Sequence, residues 1–242
     1  MEAEDLDVPG ELQKMDVSKA YLKLNTGEVI ELDKYQGVMI REDSIRIANA
    51  DYTLRYSYDS VVPLEVKYDT LMIPRGSEYS IVLTDGTKVF LNAGSEIYYP
   101  VAFSGDQREV GLKGEAYFDV ARDANHPFLV EFQGGKVKVL GTQFNVQACL
   151  GQNILTTLVS GKVEVFSGRD SVVLHPGELC EISLGTRSIA VREADMMSVL
   201  AWKNGEFIFK DVSMDQIVRE FSRWYDTEIE YDSLGLQDMK FH

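Results

Sequence analysis

Short runs of strand-forming residues, each broken by a glycine-containing turn, limit what this chain can fold into more than any other feature. Residues 20–24 and 29–32 flank Asn25-Thr26-Gly27-Glu28, and residues 81–83 and 88–91 flank Thr84-Asp85-Gly86-Thr87. Residues 128–132 and 136–140 flank Gln133-Gly134-Gly135, 154–159 and 162–166 flank Ser160-Gly161, and 171–174 and 178–182 flank His175-Pro176-Gly177. Strand formers on both sides of a residue that tolerates positive φ are the signature of a β-hairpin. A glycine, one or two polar residues and then a strand former recur at Gly27, Gly86, Gly135 and Gly161, at irregular spacing. The spacing excludes a strict repeat and predicts a mainly β, solenoid-like or sandwich-like stack of hairpins. Residues 17–194 are expected to form this β domain, with 17–70 as an N-terminal extension and 1–16 as a loose acidic leader.

The pattern changes near Asp195. Asp195 is placed to cap a short helix reaching Trp202, with Met196, Val199 and Leu200 on its apolar side, and Gly205 ends it. Residues 206–210 read as a strand. Ser213-Met214-Asp215-Gln216 has capping-box spacing, and Met214, Ile217, Val218, Phe221, Trp224 and Tyr225 then recur at helical period. Residues 227–231 alternate like a strand, and Met239-Lys240-Phe241-His242 begins another. Residues 195–242 are thus expected to be a small α+β unit of strand, helix and strand, incomplete by itself. Its expected contact with a partner is through an open strand edge, with Phe207, Phe209, Trp224, Tyr225, Ile229 and Tyr231 as the candidate binding residues.

Charge and hydropathy remove several classes of function. The formal net charge of −15 over 242 residues repels nucleic acid and anionic lipid headgroups. No run approaches the roughly 20 apolar residues that span a bilayer. The start, Met1-Glu2-Ala3-Glu4-Asp5, has no basic segment followed by an apolar one, so no secretion signal is read there. Cys149 falls in phase with Gln143, Asn145 and Gln147, whereas Cys180 is in phase with Ile182, so two free thiols are the simpler reading.

Chemistry is sparse. His126, His175 and His242 are far apart, and no metal-ligand or nucleophile spacing is present. His175-Pro176-Gly177-Glu178 lacks a second histidine two residues away, and His126-Pro127 reads as a turn before a strand. Glu115 is a conceivable glycosidase acid, but a strand-face glutamate paired with Arg or Lys is the better reading, since hydrolysis needs a second carboxylate at defined separation. No enzyme activity, metal or cofactor is expected. Tyr98, Tyr99 and Trp202 leave open an alternative, an exposed aromatic platform in an extracytoplasmic carbohydrate-binding β module.

Six segments in order carry a family resemblance. Residues 84–95 with Tyr98-Tyr99-Pro100, then 110–120 around Gly114-Glu115-Ala116-Tyr117-Phe118, resemble the FecR domain. His126-Pro127-Phe128-Leu129-Val130, residues 139–146, 156–163 and 174–178 continue it. Trp202, Gly205, Phe207 and residues 217–226 are similar to the small domain that follows FecR in Bacteroidetes-type proteins. The resemblance implies the periplasmic sensor part of an anti-sigma factor that is anchored by a single inner-membrane helix. In such a protein a cytoplasmic domain, absent from this chain, holds an extracytoplasmic-function sigma factor. The small C-terminal domain contacts the N-terminal signalling domain of a TonB-dependent outer-membrane transporter.

Overall fold

The computed structural model describes residues 19–34, 36–40, 45–58, 66–231, 236 and 239–241; the acidic leader expected at 1–16 lies outside them. The described chain is mainly β. Its strands form two sheets that share one long strand and so make a single curled surface.

The first sheet contains β1 (Tyr21–Lys23), β2 (Val29–Glu31), β6 (Tyr68–Met72) and β9 (Glu96–Pro100). It continues through the first half of β10 (Arg108–Asp119) to β11 (Phe128–Phe132), β12 (Gly135–Val139), β15 (Val163–Ser167) and β16 (Asp170–Leu174). The second sheet contains β3 (Gly37–Ile40), β4 (Ile45–Ala50), β5 (Thr53–Tyr58), β7 (Tyr79–Val82) and β8 (Lys88–Leu91). It continues through the second half of β10 to β13 (Gln143–Ala148), β14 (Ile154–Ser160), β17 (Glu178–Ile182) and β18 (Ile189–Glu193). Pairing is antiparallel except for β10 with β11 and β5 with β7.

Strand β10 changes sheet at one residue. Leu112 and Lys113 face β9, whereas Gly114 onward faces β13. Gly114 takes φ +90, and a Cβ there would lie 2.5 Å from Ser95 Oγ. Any side chain would clash and strain the backbone, so glycine is required where the strand turns from one sheet into the other.

After β10 the chain lays down hairpins alternately on the two sheets: β11–β12, β13–β14, β15–β16, then β17–β18. This corrects two of the expected hairpins. Ser160-Gly161 and His175-Pro176-Gly177 are not hairpin turns but corners, where β14 passes to β15 and β16 passes to β17 across the fold. The turns around Gly27, Gly86 and Gly134 do close hairpins. Solenoid-like winding and a sandwich-like core are therefore both present.

The inner faces meet in one apolar core that includes Leu71, Ile81, Ile97, Val130, Val146 and Leu158, each almost fully buried. Phe118 of the second sheet stacks on Phe144 with centroids 5.0 Å apart and tilts against Phe128 of the first at 6.2 Å. Fully burying one such ring stabilises the fold by roughly 1.5–3 kcal/mol. A polar chain also joins the sheets: Tyr99 Oη donates to Tyr56 Oη at 3.0 Å, and Tyr56 Oη donates to the buried Asp69 at 2.8 Å. Cys149 and Cys180 are both free thiols, the latter wholly buried.

Candidate functional site

The C-terminal segment runs across the outer face of the second sheet. On strands open to water, outward residues would be exposed. Here Glu115, Tyr117, Asn145, Thr157 and Leu179 point outward from β10, β13, β14 and β17 yet are buried. The tail covers them. Asp195 caps α1 (Met196–Leu200) by accepting from Ser198 N at 3.3 Å, and it pairs with Lys210. A 3₁₀ turn over Ala201–Asn204 follows, and Gly205 ends it at φ 72. That turn buries Trp202 and sets the Lys203 ammonium 3.3 Å from the centre of the Tyr117 ring and 4.8 Å from that of Phe90. Burial lowers the Lys203 pKa from its ordinary value.

Helix α2 (Met214–Trp224) starts as the sequence indicates. Ser213 Oγ accepts from Gln216 N at 3.3 Å, and Gln216 Oε1 accepts from Ser213 N at 3.1 Å. The flanking segments differ from expectation. Residues 206–209 and 227–231 carry no ladder pairing, and the nearest approach to a sheet is one isolated bridge, Val212 to Phe241. The open strand edge expected in this unit is therefore not formed among the described residues. Its polar backbone groups have no neighbouring strand to register against, and side chains hold the unit together instead.

The two faces of α2 are used in an unusual sense. Gln216, Arg219, Glu220 and Arg223 share one side of the helix, and Glu220 and Arg223 on it reach the β body while Gln216 and Arg219 stay exposed. Arg223 Nη2 donates to Glu115 Oε2 at 2.9 Å and to Glu220 Oε2 at 2.6 Å, while Nη1 donates to Cys149 Sγ at 3.0 Å. Gln147 Nε2 donates to Glu220 Oε1 at 3.3 Å, and Gly76 N donates to the Arg223 carbonyl at 2.9 Å. Glu115 also accepts from Asn92 at 2.8 Å and from Asn145 at 3.0 Å. Burial works against the guanidinium charge, but Glu115 and Glu220 beside it outweigh that, and the Arg223 pKa is held above its ordinary value. Burial pushes the Cys149 thiol up to about 11.

The apolar side of α2 is met by Phe207 and Phe209. Phe207 lies 5.0 Å from Phe221 and 4.9 Å from Trp224, centroid to centroid, and Phe209 lies 5.5 Å from Phe221. Tyr225 joins at 6.0 Å from Phe221. No residue of α2 is fully buried, and Tyr225 is 65% exposed. Of the six candidate residues, the structure thus gathers Phe207, Phe209, Trp224 and Tyr225 into one half-covered aromatic cluster. Ile229 lies exposed beyond the helix, and Tyr231 donates its hydroxyl to Asp215 in the first turn. Between the tail and the sheet lies a cavity of about 560 Å³ whose walls include Asn145, Thr157, Trp202 and Arg219.

Other sequence candidates take structural places. Glu115 carries an ion pair and two asparagine amides, as a strand-face glutamate with an arginine partner would. His126 pairs with Asp123, and His175 with Glu178, each within its own turn. Tyr99 and Trp202 are buried, and Tyr98, though exposed, stacks face to face on Tyr68 at 4.7 Å, so these three do not make a shared open platform. Among the described residues no group of three or more His, Cys, Asp and Glu side chains converges to hold a metal, and no helix is long and apolar enough to cross a membrane.

The body and the tail each match a known family description. Residues 69–164 match "FecR protein" and residues 206–242 match "FecR, C-terminal". No curated protein sequence matches the chain. Two crystal structures of a protein from Parabacteroides distasonis, described as a candidate anti-sigma factor, are similar in fold with a TM-score of 0.68 and are 32% identical. Each match covers 72% of this chain, and 83% or 82% of the other. With both the β body and the C-terminal unit matched in order, the chain belongs to the FecR family.

Proposed function

We propose that this chain is the periplasmic sensor part of a transmembrane anti-sigma factor and acts by protein contact, without catalysis. In this reading it relays a signal from a TonB-dependent outer-membrane transporter to a cytoplasmic extracytoplasmic-function sigma factor. The family membership supports the regulatory role, and the similar Parabacteroides protein is described as a candidate anti-sigma factor. The observation that carries the partner contact is the orientation of α2. A helix that packs against its own domain turns its apolar stripe inward. Here Glu220 and Arg223 of the polar side reach the body, Phe207, Phe209, Phe221 and Trp224 are only partly buried, and Tyr225 is exposed. Rigid aromatic side chains grouped at a surface are typical anchors for a protein partner. The contact surface is assigned to these rings, with Ile229 and Tyr231 beside them, and the chain is divided at Asp195 into a β sensor body and a C-terminal contact unit.

Amide exchange tests the assignment directly. The chain is mixed with the N-terminal signalling domain of a transporter from the same envelope, and exchange is compared with the chain alone. New protection is expected in residues 206–231. Protection confined to the β body would place the contact on another surface, and no protection anywhere would remove the transporter from the proposal.

A further inference from the structure

We propose that Arg223 is a latch that holds helix α2 on the β body, so that the helix is either docked through one buried guanidinium or released, while Trp202 and Lys203 keep the start of the C-terminal unit in place. The two carboxylates it joins come from different parts of the fold: Glu115 from β10 and Glu220 from α2 itself. The side chains of Arg223 and Glu115 are 13% and 8% exposed, so the pair is shielded from water. The β body has already shaped its half of the site. Asn92 and Asn145 each donate to one oxygen of Glu115, which fixes the carboxylate toward the helix. Side chain and backbone of Arg223 both come close to the body: a Cβ on Gly94 would sit 3.5 Å from Arg223 Cγ, and Gly76 N donates to the Arg223 carbonyl.

This arrangement favours two states over intermediate ones. Withdrawing one partner of a buried ion pair while the site stays closed leaves an uncompensated charge, which is strongly unfavourable. Withdrawing the whole helix lets Glu115, Glu220 and Arg223 regain water together. The apolar packing that opposes that second route is partial, since no residue of α2 is fully buried. The latch gives the proposed partner contact its regulation: the rings gathered along α2 are presented in one fixed position only while Arg223 is seated. It rests on that contact for its purpose, but its test needs no partner.

Cys149 reports the latch. Its thiol lies under Arg223 and is only partly accessible, whereas Cys180 is wholly buried in the core. The whole chain is labelled with a maleimide under native conditions, and the rate at each cysteine is read by mass spectrometry. In Arg223→Met, Cys149 labelling is expected to rise by roughly tenfold or more with Cys180 unchanged, the scale set by breaking a buried pair. Arg223→Lys keeps the charge but loses the two-pronged donor and is expected to fall between. Glu115→Gln tests the same pair from the body side, should the arginine variants fail to fold, and is expected to raise Cys149 labelling too. An unchanged Cys149 rate in Arg223→Met and Glu115→Gln would overturn the latch. A common rise at both cysteines would also overturn it, since Arg223 would then be holding the body and not the docking of α2. Neither failure would touch the transporter contact, which is measured separately by amide exchange.

Discussion

Two aromatic clusters in this molecule have nearly the same chemistry and opposite surroundings. In the β body, Phe118, Phe128 and Phe144 meet at 5.0 to 6.2 Å and are fully buried. In the C-terminal unit, Phe207, Phe209, Phe221 and Trp224 meet at 4.9 to 6.0 Å and every one is only partly buried. Ring geometry alone does not separate them. What differs is cover: the first cluster has a sheet on both sides, while the second has a helix and an unpaired segment. Aromatic contacts serve as core where a second layer exists, and as surface where it does not. The tail therefore relies on polar ties to the body, through Arg223 and Lys203, beside the one buried ring of Trp202, where the body depends on burial throughout.

The sharpest way to break this comparison is to remove one ring from each cluster. Phe118→Ala leaves a cavity among residues that cannot close over it, and a loss of about 3–5 kcal/mol of global stability is expected in denaturant unfolding. Phe221→Ala removes a half-covered ring, and about 1 kcal/mol is expected, half or less of the value for full burial. That smaller loss should show as faster amide exchange within residues 206–224 and leave the unfolding midpoint of β10 in place. Equal global losses from the two substitutions would mean that the tail cluster is core after all.

The comparison also explains what could be read from the sequence. Period-two alternation and glycine turns identify the β body because strand formers and positive-φ residues act locally. They do not distinguish a hairpin from a corner. Gly86 closes β7 onto β8 in one sheet, whereas Gly161 sends β14 and β15 to different sheets with the same local signal. At Gly161 the deciding feature is distant: a Cβ there would lie 2.8 Å from Thr142 Oγ1, nineteen positions back in the chain. The capping box at Ser213 and the stripe along α2 were legible because they too are local. The direction in which α2 turns its stripe was not, since it is set by Glu115, 108 positions from Arg223. The pairing of Glu115 with some basic residue was readable as strand-face chemistry, but its partner was not.

The smallest expected effect is a pH response of the tail that the body does not share. Asp195 accepts from Ser198 N at the start of α1 and pairs with Lys210, which ties the helix cap to the segment carrying Phe207 and Phe209. The hydrogen bond to the Lys210 ammonium holds its carboxyl below the usual carboxylate range against the opposing desolvation, and the Ser198 amide adds to it. A carboxylate whose folded pKa is depressed contributes stability above its unfolded pKa and loses it as pH falls through the folded value. The tie is therefore fully present at neutral pH, unaffected down to about pH 4, and lost only below that. The group is partly open to solvent, so the effect is local and screened by salt. Amide exchange at residues 198–200, corrected for its intrinsic pH dependence, should rise below pH 4 while that of Phe118 does not. Asp195→Asn keeps a capping oxygen but no titrating charge, and in that variant the response should disappear. A response that begins near pH 6, or that survives in Asp195→Asn, would assign it to another group and remove Asp195 from the ties within the tail.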